Sequence, residues 1–218
     1  SMGIVLKRRD NAPIVKDIYG GIIDILMNEK DIAKSLEFLD KNLNIILSGN
    51  CAFDKFIITK SLRSGYKNPN QIAHKVLADR MGERDGVTPS PGDRIPYIYI
   101  TTKTRAKLQG DKIEHPDYIR LHNLNIDYGH YITNQIMRPI LQIYSLVIFD
   151  LPSIKSKSML KLRIKKELAA LAVNNQADYA KKSEVLKNKY VERVLFDKYI
   201  KMSENKKNNM REISSYFG

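Results

Sequence analysis

The residue types able to do covalent or metal chemistry are scattered along this chain. Asp10, Asp93 and Asp127 stand far apart in sequence, whereas two-metal phosphoryl chemistry needs carboxylates held close together. The four histidines, His74, His115, His122 and His130, show neither the HExxH nor the HxH spacing that brings imidazoles onto one metal ion. The single cysteine, Cys51, excludes an intrachain disulfide and a cysteine-rich zinc site, and suits a reducing compartment. No glycine-rich phosphate loop is present. Asp93, beside Arg94 in a loop, reads as a turn or ion-pair residue, and His130 near Asp127 as a pair on a helix surface. The expectation is that no catalytic residue, metal site or cofactor site lies in this chain.

What the chain has in excess is positive charge. It carries 37 Lys and Arg against 24 Asp and Glu, a net +13. From Ser153 onward there are sixteen basic against seven acidic residues, so most of the excess lies in the last third. Such a balance favours polyanionic partners, nucleic acid first, although a charge run also simply solvates a surface. No stretch of eighteen apolar residues and no signal peptide is visible; Ile140 to Leu151 is too short for a membrane span and contains Gln142 and Asp150.

The elements that must position these cations follow from periodicity. Ile14, Val15, Ile18, Ile22, Ile25 and Leu26 predict a helix over Asp10–Met27, with Asp10 or Asn11 as cap and Pro13 in its first turn. Gly20-Gly21 inside it weakens the helix or permits a close approach. Ile32, Leu36, Leu39, Leu43 and Leu47 predict a second helix over Asp31–Leu47, ended by Ser48-Gly49-Asn50. Phe56–Thr59 is a short β-rich run, Asn70 is placed to cap a helix to Met81, and Arg94–Thr101 is the clearest strand. Asp127 begins a helix to about Phe149 that Pro139 should kink. Beyond Leu151-Pro152 the composition turns to Lys, Leu, Ala and Glu, predicting two or three helices over Ser158–Met202, with polar Ser203–Asn209 as a mobile connection.

Several short stretches, in order, carry a resemblance. Lys7-Arg8-Arg9-Asp10-Asn11-Ala12-Pro13-Ile14-Val15 resembles the entry into the thumb domain of family B DNA polymerases of the delta type. Phe56–Leu62, His74–Met81 and Gly92–Ile98 agree in the same order, and Ile126–Leu141 agrees more weakly. The resemblance covers roughly Leu6 to Tyr144. It implies a polymerase thumb over residues 3–150, which holds primer-template duplex mainly through phosphate contacts without reading sequence. The residues it singles out for DNA contact are Arg8, Arg9, Lys60, His74, Lys75 and Arg94, with Tyr97 and Lys103 secondary. The alternative for Arg8 and Arg9 is an ion pair with Asp10 or with palm residues outside this chain, and a tyrosine such as Tyr97 is more often core than ligand. The carboxylate motifs that hold two Mg²⁺ ions in the palm of such enzymes are absent from this chain, so the resemblance implies that the metal belongs to the intact polymerase and that this chain alone is inactive. Cellular delta-type members carry cysteine clusters after the thumb and this chain has none, so the resemblance leans toward a member from a large DNA virus, with archaeal members, which also lack the clusters, as the alternative.

The last residues carry a second resemblance. Met210-Arg211-Glu212-Ile213-Ser214-Ser215-Tyr216-Phe217 is similar to the peptide that docks on ring-shaped sliding clamps, with Ile213, Tyr216 and Phe217 at the three apolar positions. Met210 stands where that pattern has glutamine. The alternative is a terminal turn folded on its own domain.

The expected architecture is therefore α+β: a helix-dominated thumb with a small β-sheet patch, a basic helical extension over 151–203, and a flexible tail with a clamp-binding-like peptide over 204–218. The expected partners are primer-template DNA, a sliding clamp and the other domains of a parent polymerase, with no membrane. The expected location is intracellular, in the host cytoplasm for a viral enzyme, with the nucleus as the alternative. The competing view is a stand-alone basic helical adaptor without an enzyme parent. Against that stands the palm–thumb junction motif directly behind Ser1-Met2, a dipeptide with the look of a cleavage remnant and engineered start.

Overall fold

The computed structural model describes residues 4–8, 10–102, 108–174 and 176–216, with residue 4 and residues 209–216 described by their backbone alone. After a short helical turn, α1 (Pro13–Asp24) buries Ile14, Val15, Ile18, Tyr19 and Ile22 along one face. Pro13 occupies the first turn, where its missing N–H costs nothing. The helix widens into a π-helical turn over Ile25–Glu29, and Lys30, at φ 54°, reverses the chain. The Asp31 carboxylate then accepts the Lys34 N–H at 2.9 Å and caps α2 (Ile32–Ser48), which Gly49 ends in the left-handed region that favours glycine. Gly21 lets the two helices meet closely: a β-carbon there would run into the Phe38 ring.

Among the described residues three strands form one antiparallel sheet in sequence order: β1 (Ile58–Ser61), β2 (Arg94–Tyr99) and β3 (Ile113–Glu114). Ile58 faces Tyr97, Lys60 faces Ile95 and Ser61 faces Arg94 across the first pair. Helix α3 (Ala73–Asp85) connects the first two strands. It begins later than the sequence predicts. Asn70 lies inside a 3₁₀ turn headed by Pro69, and the extended Ile72 takes the cap position without a side-chain acceptor. A buried ion cluster fastens α3 to the sheet: Arg84 and Arg80 converge on Glu114, and Arg80 also donates to the Ile113 carbonyl at 2.6 Å.

Helix α4 (Pro116–His122) leads to the long helical run predicted from Asp127. That run starts at Tyr128, opens into a π-helical stretch over Tyr131–Ile136 and resumes as α5 (Met137–Leu146). The distortion lies just ahead of Pro139, because the proline ring crowds the carbonyl four residues earlier and the widened turn relieves it. His130 differs from expectation. It is not one half of a surface pair: its ring stacks on Tyr99, while the Asp127 carboxylate accepts the His130 backbone N–H at 2.9 Å.

Among the described residues a short helical turn (Pro152–Lys155) and then three longer helices follow, α6 (Ser158–Asn174), α7 (Tyr179–Leu195) and α8 (Asp197–Tyr216). The change of composition at Pro152 is not a gap in the packing, since Ile164, Leu168, Val191, Phe196 and Tyr199 join the same hydrophobic cluster as Ile18 and Leu43. The backbone over 204–216, expected as a loose tail, is helical. Its start is tied down. Lys198 and the Tyr199 hydroxyl both donate to the Asp40 carboxylate, Ser203 packs on Gly129, Lys206 donates to the Leu47 carbonyl at 2.8 Å, and Lys207 pairs with Asp127 at 2.9 Å. The Lys206 ammonium thus meets the negative end of α2. None of the helices in the described residues is long and apolar enough to cross a membrane.

Candidate nucleic-acid interface

Four of the residues singled out from the sequence meet in one open groove. Arg8, Lys60, His74 and Arg94 line it, together with Asp10, Thr59, Ser61, Arg63, Tyr66 and Ile72. These residues come from four separate segments: the chain before α1, strand β1 with the turn after it, the start of α3, and the first residue of β2. The antiparallel register performs the assembly. It sets Arg94 directly opposite Ser61, one step from Lys60, with the guanidinium 3.5 Å from the Ser61 hydroxyl.

The balance of charge in the groove is positive. Arg8, Lys60, Arg63 and Arg94 face a single carboxylate, Asp10. Arg8 grips that carboxylate through two contacts of 2.8 and 2.6 Å, and the hydrogen bond holds the Asp10 carboxyl below its usual range, with Lys60 assisting. Three cations therefore remain uncommitted to an acid. The hydroxyls of Thr59 and Ser61 add neutral donors, and the first turn of α3 opens at the groove with no capping side chain. Cations and hydroxyls beside the uncapped start of a helix, in one concave surface, make an arrangement suited to phosphate oxygens.

His74 occupies the floor. Its Nε2 lies 3.1 Å from the Tyr66 hydroxyl, and that hydroxyl also accepts the Arg63 backbone N–H at 2.9 Å. Burial, then the neighbouring Lys60, push the imidazole below its ordinary value and favour its neutral form, and through Tyr66 the ring braces the 63–66 turn.

The structure does not gather the remaining candidates. Lys75 turns along α3 to pair with Asp79 and does not line the groove. Tyr97 does not line the groove: its side chain is 3% exposed and packs edge-on against Tyr99. Its position opposite Ile58, on the core side of the sheet, is the reason. Arg9 and Lys103 lie outside the described residues, as does Phe217. Met210, Ile213 and Tyr216 fall within the α8 backbone, and their side chains lie outside the description. Arg63 and Tyr66 were missed, although Leu62-Arg63-Ser64-Gly65-Tyr66 offered a signal: a cation and an aromatic around a glycine turn directly after a basic strand. Asp93 is a turn residue, accepting the Ser90 N–H at 2.8 Å. Among the described residues no group of three or more His, Cys, Asp or Glu is placed to hold a metal ion.

Comparison with known proteins places the chain in a family. Residues 1–147 match the family described as DNA polymerase family B. A DNA polymerase of Pyramimonas orientalis virus is 48% identical over 220 residues, covering 100% of this chain and 18% of the relative. A DNA polymerase of Acanthamoeba polyphaga mimivirus is 52% identical over 153 residues, covering 67% of this chain and 9% of the relative. The DNA polymerase delta catalytic subunit of Caenorhabditis elegans is more distant, 32% identical over 150 residues, covering 68% of this chain and 14% of its own length. The chain thus spans less than a fifth of the length of each of these relatives.

Proposed function

Since the chain belongs to DNA polymerase family B, we propose that it is the thumb region of a replicative, DNA-directed DNA polymerase of viral type, and that its basic groove holds the phosphate backbone of the primer-template duplex. One observation carries the reading: Lys60 and Arg63, from β1 and the turn after it, and Arg94, from β2, converge on one groove with no acid among the described residues paired to them, beside hydroxyls and an uncapped helix start. Phosphate gripping of this kind is indifferent to base sequence, which a polymerase travelling along its template requires. The test is fluorescence anisotropy with a labelled duplex at increasing salt. Affinity should fall steeply, with a log–log slope of roughly −0.9 per phosphate neutralised, and should be equal for duplexes of different sequence. Salt-insensitive binding or a strong sequence preference contradicts it.

Nucleotide transfer in the intact enzyme would rest on two Mg²⁺ ions held by palm carboxylates outside this chain. The donor set present does not suit that role, because Asp10 is committed to Arg8, Asp93 to a turn and Asp127 to a helix cap. The chain alone is accordingly proposed to be inactive, and primer extension with Mg²⁺ or Mn²⁺ should show no incorporation. Any incorporation by homogeneous protein would place the catalytic carboxylates within it. The terminal peptide Met210–Phe217 is proposed to bind a sliding clamp, on the strength of its sequence pattern. An intracellular location follows from the DNA substrate, in the host cytoplasm or nucleus.

A further inference from the structure

Helix α6 is apolar on two nearly opposite faces. At 100° per residue, Leu160, Ile164, Leu168 and Leu171 fall on one side, and Ile164 and Leu168 enter the core there. Met159, Leu162, Ala169, Ala170 and Val173 fall on the other. Met159 is 77% exposed, Leu162 46% and Val173 79%, so this second stripe lies in water along a helix of 17 residues, about 25 Å long. A helix on the surface of a folded domain ordinarily presents polar residues there.

The stripe is bordered by uncompensated charge. Arg163 and Lys166 sit within it, and both line a shallow groove with Met159 and Leu162. Lys161 and Lys165 follow on one flank, and none of these four cations has an acid within ion-pair distance among the described residues. The one acid of the helix, Glu167, also lines this groove and accepts the Tyr190 hydroxyl at 2.8 Å, which ties α6 to α7 and leaves cations in excess over acid on this face.

We infer that the outer face of α6 is a docking surface for an acidic amphipathic helix of a partner protein, with apolar side chains seated on Met159, Leu162 and Val173 and carboxylates meeting Arg163, Lys166 and the flanking lysines. The inference stands apart from the duplex-binding groove, which is built from other elements. Charge complementarity selects this occupant. Nucleic acid would use the cations but leave the Met–Leu–Val stripe in water. A lipid surface would call for aromatic anchors, which the stripe lacks. A second copy of the chain would set Arg163 and Lys166 against its own cations. Burying an apolar stripe between basic flanks is the helix-in-groove mode of recognition, with anchors at i, i+3 and i+4 spacing.

The test uses the full chain and a fluorescein-labelled synthetic peptide of matched length, with leucines at i, i+3, i+4 and i+7 and glutamates at most other positions. Its scrambled isomer is the control for charge alone. The peptide should bind and the isomer should bind at least about tenfold more weakly. The triple variant M159S/L162S/V173S, all on the exposed face and expected to fold as the parent does by circular dichroism, should lose at least about tenfold, and R163E/K166E a comparable amount. Binding of peptide and isomer alike, or binding untouched by the triple variant, overturns the inference. So does a parent chain that dimerises in sedimentation while the triple variant stays monomeric. If the triple variant instead loses binding to duplex DNA or to anionic phosphatidylglycerol vesicles while its peptide binding is unchanged, the face belongs to those occupants and the inference fails.

Discussion

The His130 imidazole lies flat on the Tyr99 ring, with centroids 3.7 Å apart and planes 21° from parallel. The Asn134 side chain approaches Nδ1 at 3.1 Å, and Nε2 is buried with no hydrogen-bond partner. The stack joins the end of strand β2 to the start of the long helical run, and it does so with a titratable ring inside the fold. Burial pushes the His130 pKa down to about 4 from the ordinary 6.5, against the attraction of Asp127 and with help from Lys207.

Stability should therefore depend on this one ring between pH 6.5 and 4. The folded state holds it neutral, so the unfolded chain takes up the proton first as pH falls. The stability it contributes is complete above pH 6.5 and is lost on descent to about pH 4. The size is on the order of 3 kcal/mol, at 1.36 kcal/mol per pKa unit. Urea unfolding of wild type and His130→Phe at pH 7.5 and 4.5 measures it. The variant keeps the stack and should lose less stability on acidification by about that amount. Equal losses in the two proteins would show that His130 does not titrate inside the fold.

A second prediction concerns the tie between α3 and the sheet. Glu114 is 5% exposed and receives Arg84 at 3.0 and 3.2 Å, with Arg80 at 3.4 Å. Removing it by Glu114→Ala strands two guanidinium groups at a partly buried site and should cost about 3 kcal/mol. Arg120→Ala, which breaks exposed pairs with Asp54 and Asp117, should change stability by less than about 1 kcal/mol. Chemical denaturation separates the two, and comparable effects would mean that burial is not what gives the Glu114 cluster its weight.

The terminal peptide gives a third. A synthetic peptide of residues 206–218 should bind its cognate clamp at micromolar strength, because ordering a short segment costs ~1–2 kcal/mol per residue against the gain from its apolar anchors. Replacing Tyr216 and Phe217 by alanine should abolish binding, and Met210→Gln should tighten it by adding an amide able to hydrogen-bond. Isothermal titration decides. No binding at high micromolar peptide, or a weaker Met210→Gln peptide, would mean that the segment serves its own fold.

How far the sequence announced all this varied with the distance over which each feature is decided. Local signals were legible: the helix starting at Asp31, Gly49 at its end, and the strand starting at Arg94 are set by residues within a turn or two. Pro139 announced a distortion but not its form, since a kink and a π-helical stretch both relieve the same clash. Tyr97 was legible in part: a tyrosine in a β-rich run is more often core than ligand, and its burial opposite Ile58 agrees with that side of the reading. The helical state of residues 204–216 was hidden: their polar composition looks loose, and the anchors at Leu47, Asp127 and Gly129 lie far away in the chain. The groove shows both sides of this. Arg8, Lys60, His74 and Arg94 were reached through a family resemblance, whereas Arg63 and Tyr66 became candidates only when the turn after β1 was seen to close over His74.

The central claim is that duplex DNA lies in this groove, and charge reversal at two places tests it most directly. K60E/R94E and K30E/K34E change the net charge equally, and the second pair lies away from the groove at the start of α2. Duplex affinity is measured by anisotropy at low salt and again along a salt series, after both variants are shown to fold. The groove pair should weaken binding at least about tenfold and flatten the salt slope by roughly the two phosphates no longer neutralised, while the distant pair should stay within about threefold of the parent. Equal losses from the two pairs, with equal salt slopes, would contradict the assignment and leave DNA binding as a property of net charge alone.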